Sequence, residues 1–289
     1  MPFALAALSS MLYGVADFLG GMGSRRAPVI AVTAWFQLTG LVCLVLYAAF
    51  APGVTRLSDL AWGAASGAAG GLGVTLLYHV LASGTVSTAA PLISMVALAV
   101  PVLVGLSSGE HPGALPLTGV ALGAAAVALI SGKGSDAVEP RGESHPAPKA
   151  PTRRVATLPL ALASGVLIGL FLVCLGRVAP GAGGWPLVSG RASASVCLLV
   201  LALVTRTPLH LPAAAAPPML GAAVTDVSAN VLYLLAVQRA PMSIVATLVS
   251  LAPATTVLLA QTVLRERLAP AQKAGVVVAL LAVVLLAQG

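Results

Sequence analysis

Short polar breaks divide the chain into runs of about 20 residues that are apolar on every face, such as "VIAVTAWFQLTGLVCLVLYAAF" at Val29–Phe50. Hydrocarbon offers no partners to backbone N–H and C=O groups, so such a run crosses a membrane only as a helix or inside a closed barrel. Barrel strands alternate apolar and polar residues, and these runs do not. Of 289 residues, 58% are hydrophobic and 8% charged, against about 25% charged in a soluble domain. A soluble chain of this make-up would expose large apolar patches and aggregate. The expectation is an all-α integral membrane protein of the cell membrane.

Ten runs fit a membrane span: 3–22, 28–50, 60–81, 86–107, 113–131, 157–176, 185–204, 218–237, 242–263 and 270–288. The stretch 132–156, rich in Pro, Gly and charge, buries too little apolar surface to fold and reads as a flexible linker. The N-terminus has no basic segment or cleavage site and reads as the first membrane helix. The net charge of +7 comes from arginines and lysines that sit mostly at run ends, which makes them topology anchors and not a nucleic-acid surface. Cys43, Cys174 and Cys197 lie inside apolar runs without CxxC spacing, so neither a disulfide framework nor a metal site is expected.

The two halves of the sequence correspond. An offset of 156 lays Glu110 on Glu266, Gly119 on Gly275 and Ser87 on Ser243, and an offset of 155 lays Ser9 on Ser164 and Gly14 on Gly169. Residues 1–131 and 157–289 thus read as two five-helix repeats. An odd number of crossings inserts the second copy from the opposite face and puts both termini on one side. Inverted repeats of this kind build secondary transporters that rock about a central site.

Ionisable groups inside the bilayer are costly and are therefore candidates for function. Asp17, His79, Arg191 and Asp226 fall in that class. Asp226, Asn230 and Tyr233 follow i, i+4, i+7 spacing, which places a carboxylate, an amide and a phenol on one helical stripe. Their first-half counterparts are Gly70, Val74 and Leu77. Two readings of Asp226 stand side by side: an ion pair with Arg191 that locks two helices, or a polar cavity that includes that pair. Tyr13 and Asp17 share a face of the first helix, and Asp17 either lines the same cavity or reaches Arg25 or Arg26. Gln37 is a candidate substrate hydrogen-bonder, and Trp35 and Tyr78 are candidate cavity walls. His79 shares a face with Thr75, as a titrating group or a solvated helix-end residue. Pro101 and Pro253 interrupt helical hydrogen bonding, as hinges or as static kinks. The run "SGAAGGLG" at Ser66–Gly73 sits mid-helix, where close helix contact explains it better than a phosphate loop.

The turn near the end of each half carries a family resemblance. The second copy reads Pro253, Glu266, Arg267, Leu268 and Gly275, and the first has Gly109, Glu110 and Gly119. In these residues the chain resembles the EamA-type members of the drug/metabolite transporter superfamily over nearly its whole length outside the linker. It departs where Arg265 replaces the glycine before Glu266, and where His111–Pro112 stands for Arg–Leu. The resemblance implies a non-ATP membrane transporter, an exporter of small metabolites such as amino acids or of amphiphilic drugs. Its alternatives are a lipid-linked or sugar translocase of the same fold, or, in another class, an intramembrane enzyme. No HExxH motif or other recognisable hydrolytic set supports the enzyme, so no catalytic residue, cofactor or metal is expected. The expected partners are a small-molecule substrate, protons and membrane lipids, with a monomer as the working unit. Glu110 and Glu266 read mainly as turn and packing devices.

Sidedness is open. The odd loops carry eleven Lys and Arg, five of them in the linker, against three in the even loops. The count makes the odd loops cytoplasmic and both termini external, whereas the resemblance implies cytosolic termini.

Overall fold

A computed structural model describes residues 1–24, 27–82, 86–132, 153–265 and 268–288. Five helices precede the linker: α1 (Pro2–Ser24), α2 (Val29–Phe50), α3 (Leu57–Ala82), α4 (Val86–Ser107) and α5 (Ala114–Gly132). After it come α6 (Arg153–Gly176), α7 (Trp185–Val204), α8 (Ala216–Val237), α9 (Met242–Val249), α10 (Ala252–Val263) and α11 (Pro270–Leu286). Among the described residues, eight spans are long and apolar enough to cross a membrane, with α9 and α10 forming one of them. Two shorter apolar helices, Leu92–Ser107 and Pro270–Leu286, complete the set of ten. The protein is a multi-pass helical membrane protein. Large apolar side chains such as Val42, Leu103, Leu203 and Leu280 point outward, as lipid-facing positions must.

Two boundaries differ from the sequence reading. Helix α6 begins at Arg153 and not at 157, because nothing in "RRVAT" stops a helix before the apolar run. The expected continuous span 242–263 is broken at Ser250–Leu251. Pro253 falls in the first turn of α10, where a missing N–H costs nothing. It opens a new helix and does not kink an old one. Pro101 lies buried inside the unbroken α4, and the carbonyl it leaves without its helical donor is that of Ala97. A Cβ at Gly169 would stand 2.9 Å from that oxygen, so the glycine lets α6 press against it.

The helices interlock crosswise between the two halves. Helix α1 packs on α8 and on α9–α10, while α6 packs on α3 and α4. Ser9 Oγ donates to the Ala229 carbonyl at 2.8 Å, and Ser164 Oγ donates to the Gly73 carbonyl at 2.8 Å. Ser9 and Ser164 differ by 155 positions and Gly73 and Ala229 by 156, so one bond is made twice with the halves exchanged. The last helices repeat the pattern. A Cβ at Gly119 would meet Leu286 Cγ at 2.8 Å, and one at Gly275 would meet Ile130 Cγ1 at 2.7 Å. Interhelical bonds from hydroxyls in membranes contribute about 0.6 kcal/mol each, so close small-residue packing carries most of the association.

The turn before the last helix is also made twice. Gly109 has φ +91° and Arg265, 156 positions later, has φ +56°. The turn keeps its left-handed residue even where the glycine has been lost.

At the end where α3 and α7 begin, the loops are stitched together. Val54 N donates to the Gly181 carbonyl at 3.0 Å and Thr55 Oγ1 to the Ala182 carbonyl at 2.7 Å. Asp59, 2% exposed, accepts from Arg56 N at 2.9 Å and from Ala179 N at 3.0 Å. Glu110 accepts from the first amides of α9, Met242 N at 2.6 Å and Ser243 N at 2.9 Å. Those amides have no partner inside the helix, and the carboxylate also complements the helix dipole. Glu110 thus caps the start of α9. Glu266 and Arg267 lie outside the described residues, as do Arg25, Arg26 and 133–152 of the linker.

Candidate functional site

A cavity of about 280 Å³ lies among α1, α2, α3, α6, α7 and α8. Its walls are unlike. One is polar, with Tyr13 and Asp17 on α1, Gln37 on α2, Arg191 on α7, and Asp226 and Asn230 on α8. The other is apolar, built by the small residues of α3 from Gly63 to Val74 and by Ile168, Phe171 and Leu175 of α6.

Local sequence explains both walls. On α3, small residues bring backbones together, and a Cβ at Gly67 would collide with the Gly190 carbonyl of α7. The mid-helix glycine run is therefore a close-contact device, and its free face floors the cavity. On α8, Asp226 and Asn230 are one turn apart, and Asn230 Nδ2 donates to Asp226 Oδ2 at 3.0 Å and to the Asp226 carbonyl at 2.8 Å.

Arg191 ties the polar wall together. Its guanidinium forms an ion pair with Asp226, donates to Gln37 Oε1, and lies 5.2 Å from the centre of the Phe36 ring. Gly40 leaves room for the guanidinium, since a Cβ there would meet its Nε at 2.9 Å. The Arg191 and Asp226 side chains are 8% and 15% exposed, so each charge needs the other. The two readings of Asp226 merge, because the pair locks α7 to α8 and also faces the cavity. Asp17 is accessible in the cavity wall and, among the described residues, makes no hydrogen bond or ion pair. The Tyr13 hydroxyl is buried without a hydrogen-bond partner.

Several expected residues stand elsewhere. Tyr233 is fully buried, and its hydroxyl donates to the Leu172 carbonyl at 2.8 Å. It joins α8 to α6 and does not line the cavity: seven residues turn the stripe by only ~20° but carry it ~10 Å along the helix axis, where the phenol meets α6. Trp35 is 42% exposed, and its Nε1 donates to the Leu209 carbonyl at 2.8 Å. It anchors the periphery, and its neighbour Phe36 takes the wall position. The side chains of Tyr78 and His79 lie outside the described residues. Sequence reasoning missed Phe36, Phe171 and Asp59. For Asp59 there was a signal, an acidic residue in the first turn of a helix. Among the described residues, no group of His, Cys, Asp and Glu is placed to hold a metal ion.

A multi-pass helical bundle with a half-polar internal cavity has the build of a membrane transporter. Residues 155–288 match the model of the EamA-like transporter family. The match covers a little under half of the chain, its second set of helices, and those residues are similar to the EamA-like transporters. A solved crystal structure, described only as that of a protein, aligns with 97% of this chain and 94% of its own at a TM-score of 0.72 and 16% identity. At that identity the likeness establishes the fold alone. No curated protein matches the chain.

Proposed function

We propose that the protein is a secondary exporter of small metabolites or amphiphilic drugs, working by alternating access of two inverted five-helix repeats, residues 1–131 and 157–289, and coupled to protons. The observation that carries this reading is a charged network, Gln37–Arg191–Asp226–Asn230, held inside a cavity between helices of both halves. Intramembrane charges of this kind mark substrate and ion pathways. The repeated Ser9–Ala229 and Ser164–Gly73 bonds support two equivalent bodies that exchange roles as the cavity changes sides. The stitched loops support a state in which one end is shut.

Proton coupling requires a carboxylate that changes its partner during the cycle. Asp226 fits this role, since protonation would release Arg191 for a different contact. Efflux from everted vesicles tests the reading, with a panel of amino acids and cationic amphiphiles, with and without an imposed pH gradient. A substrate that moves only with the gradient, and stops in Asp226→Asn, is the expected result. Movement indifferent to the gradient in both proteins identifies a uniporter and removes the coupling. No movement of any panel member removes the exporter.

A further inference from the structure

Among the described residues the polar wall holds three charges, Asp17, Arg191 and Asp226, and of these Asp17 alone has no described partner. Arg191 and Asp226 neutralise each other. The guanidinium is further taken up by Gln37 and by the face of Phe36, and Asn230 fills a second acceptor site of Asp226. Asp17 remains on the wall without a described partner. A lone, accessible carboxylate complements an ammonium group with N–H donors. The α3–α6 wall, with Phe171, Val74 and the α3 glycines, is apolar apart from Ser66, whose hydroxyl donates to the Phe171 carbonyl at 2.8 Å.

We infer that the cavity binds amphipathic organic monocations, the ammonium head held by Asp17 and the apolar body laid on the α3–α6 wall. The inference rests on the transporter reading above and names its substrate class. It excludes the amino acids that the resemblance brought in. A zwitterion needs a free cation for its carboxylate, and the one cation among the described lining residues, Arg191, is already paired.

Three probes share a phenyl-alkyl body and differ in their heads: 2-phenylethylamine, phenylalanine and 3-phenylpropanoate. Calorimetric titration of the detergent-solubilised full chain should show the amine binding at least about tenfold tighter than the other two. Asp17→Asn, nearly isosteric, should erase that preference while elution profile and thermal midpoint stay unchanged. Equal binding of phenylalanine, or an unchanged preference in Asp17→Asn, would overturn the cation site.

Phosphatidylcholine vesicles loaded with the trimethylated form of the amine, which does not cross a bilayer unaided, separate the two readings. Tight amine binding without protein-dependent release keeps the cation site and removes the transporter. Release together with equal phenylalanine binding keeps the transporter and removes the cation site.

Discussion

Helices α3 and α8 hold the same place in the two halves of the sequence, and they face the same cavity with opposite chemistry. Asp226 and Asn230 of α8 align with Gly70 and Val74 of α3, and all four line the wall. Elsewhere the halves agree closely: a serine on the same carbonyl position, a glycine under the same apolar side chain, a left-handed residue in the same turn. The positions that agree are those where backbones approach. The positions that differ are those that face the space between. Packing in this fold is therefore a property shared by both copies, whereas the polar residues of the cavity, though drawn from both, are not repeated between them.

That contrast can be broken at several points. The largest effect is expected where a charge loses its partner. Arg191→Leu leaves Asp226 buried and uncompensated and should cost about 3–5 kcal/mol, read as a fall in the thermal unfolding midpoint in detergent. A midpoint unchanged within error would mean that the carboxylate has water or another cation. Next comes the close contact of the apolar wall. Gly67→Ala drives a methyl into the Gly190 backbone and should cost about 1–3 kcal/mol. The aligned position on α8 is already Ala223, so a neutral result at Gly67 would erase the difference in packing between the two helices.

A gain is expected at the turn. Arg265 sits at φ +56° where the first half has Gly109, and the left-handed region costs a side chain about 1–2 kcal/mol. Arg265→Gly should therefore raise stability by about 1 kcal/mol, and Gly109→Ala should lower it. A loss in Arg265→Gly would show that the arginine side chain does more for the turn than its backbone costs it. The smallest effect tests the symmetry itself. Ser9→Ala and Ser164→Ala each remove one interhelical bond worth about 0.6 kcal/mol, and the two losses should be equal. A clear inequality would show that the two halves do not carry equivalent joints.

The fold was legible because the solvent leaves few options. Helix-length apolar runs, with backbones that must satisfy themselves, specify spanning helices directly, and all ten runs are helical over most of their length. The break at Ser250–Leu251 was not legible from hydropathy, since both pieces are equally apolar. Only Pro253 hinted at it. Site legibility followed polarity. Tyr13, Asp17, Gln37, Arg191, Asp226 and Asn230 stood out because polar groups are rare in hydrocarbon, and the structure brings all six to one cavity. Tyr233 and Trp35 stood out for the same reason and went elsewhere, because a hydroxyl or an indole N–H can equally satisfy itself on a neighbouring carbonyl. Phe36 and Phe171 were hidden for the opposite reason, being apolar residues among many.

The central claim is that the charged network serves movement of a substrate and does more than hold helices together. The double variant Arg191→Met/Asp226→Met separates these roles, because replacing a buried ion pair by apolar residues of similar volume is often neutral or stabilising. Gradient-driven efflux of 2-phenylethyltrimethylammonium from everted vesicles should vanish in this variant, while its thermal midpoint equals or exceeds that of the wild type. Efflux at the wild-type rate from the same folded protein would make the pair a helix lock and contradict the account.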